Sequence, residues 1–155
     1  MYLVMKLVHV FAVVMFLGNI TTGVFWKMHG DRTRDPRIIA TIMDGIIRSD
    51  RIFTIPGVVL ILIGGFGAVG TGHIPIMRTP WVMWSIILFT VSGLAFMGRL
   101  VPLQRKIRDF ARANPDPATF DWAEYRRLSR QWNTWGGIAL AAPLVAAALM
   151  VLKPQ

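Results

Sequence analysis

The sequence predicts an all-α membrane protein, with four transmembrane helices in one bundle and short amphipathic cytoplasmic helices. Three observations carry that prediction. Hydrophobic residues make up 54% of the 155, and mean hydropathy is +0.52. The apolar residues gather into four blocks close to the ~20 residues that a helix needs to cross a bilayer core. The charged residues lie almost entirely between those blocks.

The first span covers about residues 3–26. Lys6 and His9 are its basic side chains, and Phe25, Trp26 and Lys27 read as an interfacial anchor at its end. A cleavable signal peptide fits this block poorly, because no small-residue cleavage site precedes the charged stretch. Next, Asp35-Pro36 gives a helix start, with an N-cap acceptor before a proline at the first helical position. Ile38, Ile39, Ile42, Met43, Ile46 and Ile47 then recur at three- and four-residue spacing. That stripe predicts an interfacial helix over about 36–49 lying at the membrane surface, with Arg37, Asp44 and Arg48 toward water.

The second span covers about 52–72 and the third about 80–98. The connection that follows is broken by Asn114-Pro115-Asp116-Pro117, a turn signal between two helical stretches. Asp121 and Glu124 are spaced like a capping box. The helix they open can run on into the fourth span, about 133–152, where Gly136-Gly137 and Pro143 are the places for a bend. The four spans make a single domain over 1–155, with no room for a separate soluble one and no internal repeat.

Basic residues cluster between spans one and two and between spans three and four, whereas the opposite side holds Arg78 and Lys153, with Lys6 near the N-terminus. The positive-inside rule then places both termini outside and both long loops in the cytoplasm of a bacterial-type inner membrane. The net charge of +9 follows from this topology and from anionic lipid headgroups, so nucleic acid is not an expected partner. The expected partners are the lipid bilayer and other membrane proteins or a homo-oligomer.

All eight acidic residues lie in the two cytoplasmic segments, which argues against a carboxylate-relayed pump. Cysteine is absent, so disulfides, thiolate metal sites and Cys-attached haem are excluded. Any metal centre draws on three His and nine Met.

His9 is the leading candidate, since an imidazole in hydrocarbon is costly without a partner. It lies ~12 Å below Met1 at 1.5 Å per residue, level with Gly64 and Gly65 of the second span. Gly64, Gly65, Gly67 and Gly70 leave one face bare. Such a face either packs closely on a neighbouring helix or forms a slot for a flat macrocycle beside His9. Met5, one turn from His9, together with Met77 and Met150 toward the same surface, would suit Cu(I), although methionine is also a common apolar filler. His73 would need its loop to fold inward to become a ligand, and His29 is expected in solvent. Asn19 can join helices by hydrogen bonding. Asp50 can cap the second span or pair with Arg51, and Arg99 snorkels to the interface.

Leu7-Val8-His9, Phe16-Leu17-Gly18-Asn19, Phe25-Trp26-Lys27, Ser49-Asp50-Arg51-Ile52-Phe53-Thr54-Ile55-Pro56-Gly57 and Met150-Val151-Leu152-Lys153-Pro154 together resemble the predicted integral membrane proteins called domain of unknown function 2269. The resemblance covers nearly the whole chain and implies no assigned activity. More distantly, His9 followed by Gly18 is similar to the copper-resistance D type membrane proteins and to the four-helix, haem-containing protoporphyrinogen oxidase. The latter implies haem b held by the first-span His. That family also uses a third-span Lys, which this chain lacks. The expectation is an integral inner-membrane protein that binds haem b through His9 for membrane redox or electron transfer. The alternatives are a non-enzymatic structural or assembly subunit, and copper handling through His9, Met5 and His73.

Overall fold

Four long helical rods make up the protein in a computed structural model that describes residues 1–154. The first rod is α1 (Tyr2–Thr33), and the second joins α2 (Pro36–Ser49) to α3 (Ile55–Thr71) through a π-helical turn at Asp50–Thr54. The third joins α4 (Pro80–Ala95) to α5 (Val101–Ala113) through a π-helical turn at Phe96–Leu100, and the fourth is α6 (Trp122–Leu152). Each rod is apolar and long enough to cross a membrane, and together they contain 32, 36, 34 and 31 residues. At 1.5 Å per residue they reach about 50 Å, well past a hydrocarbon core of ~30 Å. The bundle therefore has a lipid zone, at the end that carries both termini, and a second zone beyond it at the basic end.

Local chemistry sets the rod ends. Arg34 takes a left-handed conformation (φ 50°) that closes α1. Asp35 accepts from the Arg37 N–H, with Pro36 in the first turn of α2. Asp121 caps α6 by accepting from the Ala123 and Glu124 N–H groups. The second half of the expected capping box is missing, because the Glu124 carboxylate is taken by Arg127 at 2.6 and 2.7 Å. The turn at 114–117 separates α5 from α6 as the sequence predicts, and α6 runs unbroken through Gly136-Gly137 and Pro143.

The amphipathic helix α2 does not lie on the membrane surface. Its stripe, Ile39, Ala40, Met43, Ile46 and Ile47, is buried, and the first four pack in one core with Ile107 and Ala111 of α5 and Tyr125, Leu128 and Trp132 of α6. The same stripe that suits a membrane interface suits a water-facing bundle, and sequence periodicity cannot distinguish the two apolar partners. Asp44 bridges to Arg108 and Arg112 of α5 at 3.6 and 3.4 Å, which fixes α2 across the bundle rather than along its surface.

In the lipid zone the buried apolar cluster is smaller, formed by Ala12, Phe16, Ile20 and Ile61. Large apolar side chains such as Leu3, Phe11, Val14, Ile63 and Leu94 face outward. Their solvent is the acyl chains.

The packing of α2 has a direct mutational signature. Ile39→Ala, at a side chain 2% exposed, is expected to cost about 2–5 kcal/mol. Ile38→Ala, at its 41% exposed neighbour, should stay within about 0.5 kcal/mol. Thermal unfolding in mild detergent measures both, and equal costs would contradict the packing described.

Candidate functional site

The bare glycine face of α3 is filled by α1. A Cβ on Gly64 would stand 2.7 Å from the His9 backbone nitrogen, and one on Gly65 would stand 3.0 Å from His9 Nδ1. A Cβ on Gly67 would meet the Met5 sulfur at 2.7 Å. The open slot for a macrocycle on Gly64, Gly65 and Gly67 is therefore absent, because the backbone and ring of His9 and the Met5 side chain occupy that space. Of the two readings of this face, close helix packing is the one the contacts describe.

This packing also orients His9. Its Nδ1 lies 2.9 Å from the carbonyl oxygen of Ile61. A carbonyl only accepts, so Nδ1 carries the hydrogen, and in the Nδ1–H tautomer Nε2 is an acceptor. Among the described residues Nε2 has no hydrogen-bond partner, and its half-buried ring forms part of the wall of an apolar cavity of about 330 Å³. Phe16 of α1, Phe66 of α3, Phe89 of α4 and Met150 of α6 form other parts of that wall. The Ser85 hydroxyl on the wall donates to its own helix and to the Ala146 carbonyl, and Thr90 donates to Ile86. Of the hydrogen-bonding side chains that line the cavity, His9 is thus the one with a nitrogen left unpaired.

The remaining candidates disperse. His73 is exposed with φ 53° beyond the end of α3, and exposed His29 packs edge-on against Trp26. Met77 is exposed, while half-buried Met5 lies against Gly67. No group of three or more His, Asp or Glu side chains comes together among the described residues. Arg99 is exposed at the lipid-zone boundary, with its guanidinium 5.6 Å from the Trp135 ring.

Asn19 and Asp50 do meet, and Arg51 takes no part. Asn19 Nδ2 donates to Asp50 Oδ1 at 3.1 Å and to Thr54 Oγ1 at 2.9 Å. Thr54 donates to Asp50 Oδ1 at 2.8 Å, and Gln104 Nε2 donates to Asp50 Oδ2 at 2.9 Å. Asp50 is 7% exposed, so this carboxylate sits inside the bundle. Arg51 is exposed. The expected Asp50–Arg51 pair is replaced by neutral donors, because the helix turns Asp50 inward and its neighbour outward.

Lys27 is the largest departure from expectation. Rather than anchoring at the interface, it is 1% exposed, and its ammonium binds Asp31 at 2.5 Å and the Ser129 hydroxyl. The Tyr125 hydroxyl donates to the other Asp31 oxygen, and the Trp132 ring lies 5.4 Å from the ammonium. The four-residue spacing of Lys27 and Asp31 signals a pair. Only α6 buries its ammonium.

The family described as predicted integral membrane protein (DUF2269) matches residues 3–154. No curated protein and no solved structure matches the chain.

Two contrasts follow from these contacts. Gly64→Ala must separate α1 from α3 and is expected to cost about 1–3 kcal/mol. Gly18→Ala, with nothing within 4 Å of the new methyl, should be neutral or stabilising by up to about 1 kcal/mol. In the Lys27 cluster, Asp31→Ala strands a buried ammonium and is expected to cost about 3–5 kcal/mol, more than Lys27→Met, which removes the charge itself. Detergent melting curves rank all four, and the reversed order in either pair would contradict the site as drawn.

Proposed function

The chain belongs to the family of predicted integral membrane proteins (DUF2269), and within that setting we propose that it holds haem b through His9 in the lipid zone, for electron transfer in the membrane. The observation that carries this reading is that His9, with no hydrogen-bond partner for its Nε2, lines an apolar cavity while its Nδ1–H is held by the Ile61 carbonyl. A ligating histidine is commonly oriented in this way by a backbone acceptor. Haem b would supply one-electron chemistry there.

The residues fit the group in donor chemistry and in the character of the walls. His9 would hold the haem iron, and the Met150 thioether, on a residue that lines the same cavity, is another donor of a type that haem iron accepts. About 330 Å³ is at the small end of the range for ligand sites. Lys6, Arg78 and Lys153 are the basic side chains toward the end of the lipid zone that carries the termini, and would be the cations for the carboxylates. The protein's part is to orient the imidazole and exclude water.

The contacts of Gly64 and Gly67 favour a second reading, a non-enzymatic structural or assembly subunit in which His9 simply completes the α1–α3 joint. Copper bound by His9 with Met5 is a third, tested by metal analysis of the purified protein. Absorption spectra separate them. Protein purified in mild detergent from cells supplied with haem is expected to show a Soret band. That band should be lost in His9→Ala, and also in Ala147→Phe, which fills the cavity from α6 and leaves the imidazole in place. A colourless wild-type protein in which His9→Ala costs only about 0.5–1.5 kcal/mol, the worth of one hydrogen bond, selects the structural reading.

A further inference from the structure

A second, much smaller cavity lies between the four rods beside Asp50. Its volume is about 20 Å³, and Asp50, Gln104, Trp132, Gly136, Phe96 and Leu100 are among its walls. Trp132 is 3% exposed, and its indole N–H is the buried side-chain polar atom without a hydrogen-bond partner among the described residues. Trp132, with its unpaired indole N–H, and Asp50, whose carboxylate keeps one lone-pair site after accepting three hydrogen bonds, both line this space.

We propose that this cavity is a binding site for one water molecule, which accepts from the Trp132 indole N–H and donates to the Asp50 carboxylate. Volume and chemistry agree. A single water needs roughly 10–15 Å³ and two to four polar partners, and Asp50, Gln104 and Trp132 supply them. A bare metal cation suits the space less well. The indole hydrogen would face it with the wrong sign, and Asn19, Thr54 and Gln104 already turn N–H and O–H donors toward Asp50. The nearest rank of charge beyond Trp132 is the Lys27 ammonium over its ring, already matched by Asp31. With the water in place, Asp50 on the second rod is tied to Asn19 on the first, Gln104 on the third and Trp132 on the fourth. One carboxylate then joins all four rods without a counter-cation.

The wild-type protein can report this directly. In detergent micelles with ¹⁵N-labelled tryptophan, the Trp132 indole proton is expected to cross-relax with a long-lived water, and no such signal from a folded sample would overturn the proposal. Replacing Trp132 by benzothienylalanine keeps the ring shape and removes only the N–H. The expected result is a Tm lower by about 2–4 °C, the effect of ~1 kcal/mol in a chain of this size. An unchanged or raised Tm would mean that the N–H is an unpaired donor, and would also overturn it. Exchanging Na⁺, Li⁺ and K⁺ for N-methylglucamine at constant ionic strength should leave Tm unchanged, and a rise selective for one ion would identify a cation site instead.

Discussion

The close approach of α1 to α3 at His9 and Gly64 is the contact from which the rest of the arrangement follows. With no Cβ on Gly64, the two backbones come near enough for the His9 ring to lie on Gly65 and reach the Ile61 carbonyl. Once that pair is set, an antiparallel register is set with it. Met5 falls on Gly67, Phe16 on Gly57, and Asn19 on Asp50 and Thr54. A side chain larger than hydrogen at position 64 would shift every one of these meetings.

The two zones of the bundle are held by different physics. Acyl chains are as apolar as leucine, so burying apolar surface in the lipid zone gains little, and small residues with close backbone contact do the joining. Accordingly, Ser85 and Ser92 on α4 donate to the Ala146 and Ala139 carbonyls of α6. Beyond the lipid, water restores the hydrophobic effect. The larger core of Ile39, Met43, Ile107, Leu128 and Trp132 is found there. The two π-helical turns fall where the rods pass from one zone to the other, and each adds a residue to its turn. One of them places Asp50 inward. π-turns of this kind often mark functional positions.

His9 was legible in the sequence as a costly polar group, and its depth beside Gly64 and Gly65 followed from counting residues. Its surroundings were not legible. A bare glycine face reads equally as a slot or as a packing surface, because the sequence says nothing of which neighbour turns toward it. The Asp50 centre was hidden for a related reason. Thr54 lies one helical turn from Asp50, but the other donors come from positions 19 and 104, which no local spacing connects to it, and the adjacent Arg51 offered a nearer but incorrect partner. Lys27 beside Trp26 has the composition of an interfacial anchor, and only the approach of Ser129, Tyr125 and Trp132 from α6 encloses it.

The sequence by itself determined the four apolar helices, their caps at Asp35 and Asp121, the break near Pro115–Pro117 and the single bundle. Helix formation, capping and hydropathy depend on residues a few positions apart, and in lipid each span must satisfy its own backbone groups. The tertiary structure alone decided that α2 packs into a water-facing core, that Lys27 and Asp50 are buried, and that the imidazole of His9 keeps one nitrogen free at a cavity. Those outcomes depend on which helix faces meet across the bundle, and residues far apart in the chain fix that choice together.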